Sequence, residues 1–147
     1  MRMQRQAVRG AAAAVLLLIH VLPSAAGPIL PACESDTRPG RTPSCVSTGD
    51  RGWFQGSRWR LKDMEAPEIN RRRAMCRAEQ IAGIKVRDRL RVLLSRGYTV
   101  FPAAKTDPDG WPLVRIQLSD GRDVSSQLMS EDLVQAVPNN TNRWCDR

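Results

Sequence analysis

Trp53-Phe54-Gln55-Gly56-Ser57-Arg58-Trp59-Arg60-Leu61 is the stretch from which the fold is read. Trp53-Phe54-Gln55 and Arg58-Trp59-Arg60-Leu61 have strand character, and Gly56-Ser57 between them is a two-residue link with glycine first. This suits a hairpin closed by a type II′ turn, whose first central position needs the positive φ that glycine adopts freely. Strand character reaches back to Cys45. Beyond the hairpin, Asn70 to Arg96 contains no proline and spaces Ala78, Ala82, Val86, Leu90, Leu93 and Leu94 three or four apart. That period predicts one long amphipathic helix, capped by Gly97. Gly83 in its middle costs about 1 kcal/mol against alanine unless a neighbour packs there.

After the helix, Tyr98 to Phe101 reads as a strand and Asp107-Pro108-Asp109-Gly110 as a turn. Val114, Ile116 and Leu118 then alternate with Leu113, Arg115 and Gln117, which gives a strand with one apolar face. Pro112 marks an edge or the first position of that strand. Following Ser119-Asp120-Gly121, two short helices are expected at 123–129 and 130–137, with Asp123 and Ser130 as N-caps. The order predicts a mainly β fold with helices (α+β). Its form is a five-stranded OB-fold barrel with one long helix and two short C-terminal helices, spanning 45–137.

Working outward, residues 27–44 form a leader rich in Pro, Gly, Ser and Thr, and 138–147 a polar tail pinned by Trp144 and Cys145. Residues 1–26 follow the order of a cleavable signal peptide: Arg2, Arg5 and Arg9, an uncharged run from Ala11 to Leu22, then small residues to Ala26. The run is about 12 residues, short for a membrane anchor, which needs about 20. Cleavage removes three arginines and no acid, taking the net charge from +8 to +5 on 121 residues. The expected location is secreted or periplasmic, as a monomer without stable membrane association after cleavage. A positive surplus suits nucleic acid or an anionic membrane surface.

Cys33, Cys45, Cys76 and Cys145 are even in number, which in an exported chain favours two disulfides with three connectivities open. Zinc is the weaker reading, since there is no Cys-x-x-Cys pair. The one histidine, His20, lies in the signal segment. Ser-His-Asp, Cys-His and His-zinc chemistries are thereby excluded from the mature chain, leaving carboxylates, arginines, hydroxyls or a hard metal ion.

Thr48-Gly49-Asp50, Arg60-Leu61, Ala66-Pro67-Glu68, the helix containing Cys76-Arg77-Ala78-Glu79, and Pro112-Leu113-Val114-Arg115 leading to Asp120-Gly121-Arg122-Asp123-Val124 together resemble the staphylococcal nuclease (thermonuclease) family over about residues 45–137. The resemblance implies an OB-fold enzyme that hydrolyses phosphodiester bonds of DNA and RNA with Ca²⁺. Asp50 matches a calcium-ligating aspartate, Glu65 stands at the second, and Ala66 offers a carbonyl. Glu68 matches the general base and Arg60 a phosphate-binding arginine. Such a set is chemically coherent: a hard cation polarises the phosphoryl oxygen while a glutamate activates water and arginine offsets the growing charge.

The departures all point toward weaker catalysis. Trp111 occupies the place of the second phosphate-binding arginine, and Arg51 replaces a threonine beside the proposed metal. Losing one positioned charge donor typically costs about 10²- to 10³-fold in rate. Arg115 lies four residues along the strand from Trp111, roughly 13 Å away. The Arg71-Arg72-Arg73 cluster is the nearer substitute. Arg71, Arg72, Arg115 and Trp111 are the candidate nucleic-acid contacts. The expected function is therefore a weak calcium-dependent nuclease, with a non-catalytic OB-fold module that binds nucleic acid or another polyanion as the alternative.

Overall fold

A computed structural model describes residues 27–34 and 44–145. Residues 1–26, read above as a signal peptide, residues 35–43 of the leader and the last two residues of the tail lie outside the described residues.

The hairpin forms from β2 (Arg51–Phe54) and β3 (Ser57–Leu61). Its turn, however, is Gln55-Gly56, one residue earlier than expected. Gln55 and Gly56 both have positive φ, 49° and 81°, the type I′ arrangement rather than II′. Before it lies β1 (Cys45–Val46), and after it β4 (Met64–Glu65). The helix α1 spans Arg77–Leu94, seven residues shorter at its start than the periodicity suggested. Cys76 ends it there: its backbone is extended, and its sulfur accepts from the Glu79 N–H as an N-cap. Residues 70–74 form a separate turn, with Arg73 N and Ala74 N donating to the Asn70 carbonyl at 2.9 and 2.8 Å. Arg71, Arg72 and Arg73 therefore precede the helix rather than opening it. Ala78 is exposed, and Gly83 instead joins Val86, Leu90, Leu93 and Leu94 on the buried face.

Gly83 is buried because the chain after β4 crosses the helix there. A Cβ at Gly83 would meet Ile69 Cγ2 at 2.5 Å and the Pro67 carbonyl oxygen at 2.7 Å. At the helix's other end Gly97, with φ 91°, supplies the left-handed residue expected of it.

Strands β5 (Tyr98–Thr106) and β6 (Pro112–Leu118) follow, joined through the Asp107–Gly110 turn. Pro112 begins an inner strand, where its missing N–H is harmless, and Pro102 lies in β5 at the sheet edge beside a register shift. Helix α2 (Val124–Ser130) is capped by Asp123, as expected. The second short helix does not form. Ser130 ends α2, Asp132 turns the chain at φ 56°, and β7 (Gln135–Ala136) pairs antiparallel with β4.

The five-stranded sheet runs β1-β2-β3-β6-β5, antiparallel except for the parallel β3–β6 pair. The chain is α+β. Trp59, Leu61, Val114, Ile116 and Leu118 line the sheet's inner face and meet Val86, Leu90, Leu93 and Leu94 of α1 and Val124 and Leu128 of α2 in one core. The sheet curls strongly. Phe54 on β2 stacks on Tyr98 of β5 with ring centroids 5.1 Å apart, although these strands are three places apart and would stand about 14 Å apart if the sheet were flat.

The cysteines pair as Cys33–Cys45 and Cys76–Cys145. The first ties the leader to β1, where Ala32 bridges Val46. The second fastens the tail to the start of α1. No helix among the described residues is long and apolar enough to cross a membrane.

Candidate polyanion-binding face

Register decides which side chains share the outer face of the hairpin. Arg51 lies opposite Arg60 and Trp53 opposite Arg58, so all four project to the side away from the core residues Trp59 and Leu61. Gly52 faces the other way; a Cβ there would sit 2.7 Å from the Trp59 ring.

At the head of β2, Asp50 is buried and its backbone carbonyl accepts from Leu61 N at 2.7 Å. Its carboxylate takes the Thr48 hydroxyl at 2.6 Å, Arg51 Nε at 3.2 Å and Arg60 Nε at 3.3 Å. Arg60 reaches on to Asp107 Oδ2 at 2.7 Å, and the other oxygen of Asp107 accepts the Trp111 N–H at 2.8 Å. Burial alone would raise the Asp107 carboxyl, but the Arg60 guanidinium and the Trp111 N–H outweigh it and hold it below its ordinary value. Burial likewise works against the charge on Arg60, yet Asp107 and Asp50 bind its proton more firmly than usual.

The Asp107 bond fixes the backbone of Trp111 over the hairpin. The Arg51 and Arg58 guanidinium carbons lie 5.5 and 5.1 Å from the Trp111 ring centroid, and Trp53 meets it edge-on at 6.0 Å. Arg58 is exposed and has no acidic partner among the described residues. Arg115 projects from β6 and stacks on Phe101, 4.4 Å from its centroid, on the neighbouring strand.

The other expected site residues have their own partners. Glu65 Oε2 accepts from Gln135 Nε2 at 3.1 Å and Asn139 Nδ2 at 2.9 Å. Glu68 accepts from Asn70 N at 2.7 Å and pairs with Arg73 at 3.1 Å. Ala66 packs against the core beside Gly49, whose Cβ would be 2.9 Å from that of Ala66. Arg71 and Arg72 are exposed in the 70–74 turn. Asp50, Arg60 and Trp111 thus come together, Glu65 lies near enough to favour the charge on Arg60, and Glu68 pairs with Arg73.

This donor set does not fit a hard cation, which needs several oxygens facing one point. Asp50 already faces two guanidinium groups, and amides or an arginine hold the carboxylates of Glu65 and Glu68. No group of three or more His, Cys, Asp or Glu among the described residues is arranged to hold a metal ion. Arg58 and Asp107 are the members of the face that residue spacing alone did not single out. The alternation Arg51-x-Trp53 against Arg58-x-Arg60 is the signal that finds Arg58.

No protein-family model matches the chain, and no curated protein matches it.

Proposed function

We propose that this chain is an exported OB-type barrel that binds nucleic acid, or a polyanion of similar charge spacing, on the outer face of β2, β3 and β6 without hydrolysing it. The barrel reading is supported by the strand order β1-β2-β3-β6-β5 and by the Phe54–Tyr98 stack across the curl. The two disulfides suit an oxidising compartment, secreted or periplasmic.

One observation carries the functional reading. Trp111 is braced between Arg51 and Arg58, while the carboxylates that hydrolysis would require are engaged by protein donors. Guanidinium groups held over an indole present phosphate-binding charge and, in exposed Arg58, a flat plane on an aromatic support against which a base can stack. Arg58 and Arg115 supply charge that no carboxylate pairs with among the described residues. Asp50 and Asp107 serve to position Arg60 and Trp111.

Titration of labelled single-stranded DNA and RNA across a salt series tests this. Neutralising three or four phosphates on a single strand gives a log–log salt slope of about −2 to −3. Loss of one stacking platform weakens binding by about 5- to 100-fold, the expected result for Trp111→Ala. Arg58→Ala is expected to reduce the slope by about 0.7. No binding at low salt, or a Trp111→Ala variant that binds like the wild type, contradicts the proposal.

A further inference from the structure

The outer side of α1, opposite its core face, carries apolar side chains left exposed among the described residues. Met75, just before the helix, is 77% exposed, Ile81 57% and Ile84 40%. Arg77, Ile81 and Ile84 follow one another at helical spacing along the same side. A groove of about 590 Å³ runs beside them, with Ala74, Ile81 and Ile84 on its apolar wall and Arg71, Arg77 and Gln80 at its polar edge.

Among the described residues, the unpaired charge around this patch has one sign. Arg71, Arg77 and Lys85 are exposed and have no acidic partner among the described residues. The nearby acids are consumed. Glu79 is buried, accepting from Glu68 N at 3.2 Å and Met75 N at 2.7 Å. Asp88 pairs with Arg87 and Arg91 at 3.0 and 3.1 Å.

We propose that this face docks reversibly on an anionic lipid bilayer. A membrane surface presents negative headgroups around accessible acyl carbon, the complement of an apolar centre with a cationic rim. Nucleic acid offers isoleucine nothing comparable, so this surface is separate from the Trp111 face and does not rest on the nucleic-acid reading. With only three apolar side chains to insert, the contact is peripheral and salt-sensitive.

The test is co-sedimentation of the exported, processed protein with vesicles of mixed phosphatidylglycerol and phosphatidylcholine, against vesicles of phosphatidylcholine alone. Binding is expected only to the anionic vesicles and is expected to fall with salt. Ile81→Ser/Ile84→Ser and Arg71→Glu/Arg77→Glu are each expected to lower the partition coefficient roughly tenfold. These side chains lie outside the core, so tryptophan fluorescence and melting temperature are expected to match the wild type. Trp111→Ala is expected to leave vesicle binding unchanged while weakening binding to single-stranded DNA. Protein that stays in the supernatant with anionic vesicles overturns the proposal. So does equal binding to both vesicle types, or binding that Ile81→Ser/Ile84→Ser does not reduce.

Discussion

Asp107 shows how a single residue organises the proposed face, because its two oxygens serve two neighbours. One holds Arg60 at 2.7 Å and the other holds the Trp111 backbone at 2.8 Å. Asp107→Ala removes both bonds and leaves Arg60, partly buried, with Asp50 alone. The expected cost is about 2–3 kcal/mol in denaturant unfolding, less than for a fully buried pair because Arg60 keeps some access to water. Asp50 and Arg60 were both legible in the sequence as members of one spaced motif. Arg58 was not. The hairpin turn falls one residue earlier than glycine placement suggested, which moves every cross-strand partner by two positions. The faces are preserved, but Arg58 rather than Arg60 comes opposite Trp53. Gln55 in a left-handed conformation is a choice made by strand pairing, which local propensity does not encode.

Among the elements, α1 separates helix propensity from packing. Glycine to alanine in a helix interior normally stabilises by about 1 kcal/mol. At Gly83 the added methyl would press on Ile69 and the Pro67 carbonyl, so Gly83→Ala is expected to destabilise by about 1–3 kcal/mol, the range for overpacking. An unchanged or raised midpoint in urea would show that the crossing segment yields. The helix's core stripe from Val86 onward was readable from its period, whereas its start was not: residues 70–76 have no helix breaker, and what stops the helix is the Cys76 cap and its bond to the tail. Helix α2 depends on α1 through Glu131, which accepts from Arg89 Nε at 2.7 Å and, with its other oxygen, from Arg89 Nη2 at 2.5 Å. The Arg89 hydrogen bonds lower the Glu131 carboxyl from 4.5 to about 2. A depressed folded-state value stabilises fully above the unfolded value and loses that contribution as pH falls toward the folded one. Stability is therefore expected to decline between about pH 4.5 and 2. Glu131→Gln is expected to flatten that limb in acid unfolding curves, and an unchanged limb would assign it to other carboxylates.

For the whole molecule, the four cysteines stated that the chain is stapled but not how. Cys76 and Cys145 are 69 residues apart in sequence, and only the fold brings the tail back to the start of α1. In the chain-entropy treatment a loop of that length is worth about 4 kcal/mol, against about 3 for the 12-residue Cys33–Cys45 loop. Cys76→Ser/Cys145→Ser is accordingly expected to lose more stability than Cys33→Ser/Cys45→Ser in thermal unfolding, and the reverse order would show that native contacts govern the tail. The same closure anchors the tail, whose Asn139 helps to occupy Glu65.

The α+β class and most of the strand order were visible as alternation and turns, while the state of the acidic residues was not. Whether Asp50, Glu65 and Glu68 face a shared point or separate partners depends on tertiary placement of Arg51, Arg73, Gln135 and Asn139. The most direct measurement is to mix the purified protein with end-labelled single-stranded DNA, with calcium and with chelator, reading fluorescence polarisation first and then running the same samples on a denaturing gel. High polarisation with full-length DNA in both conditions is the predicted result. Shortened DNA with calcium and intact DNA with chelator would contradict it.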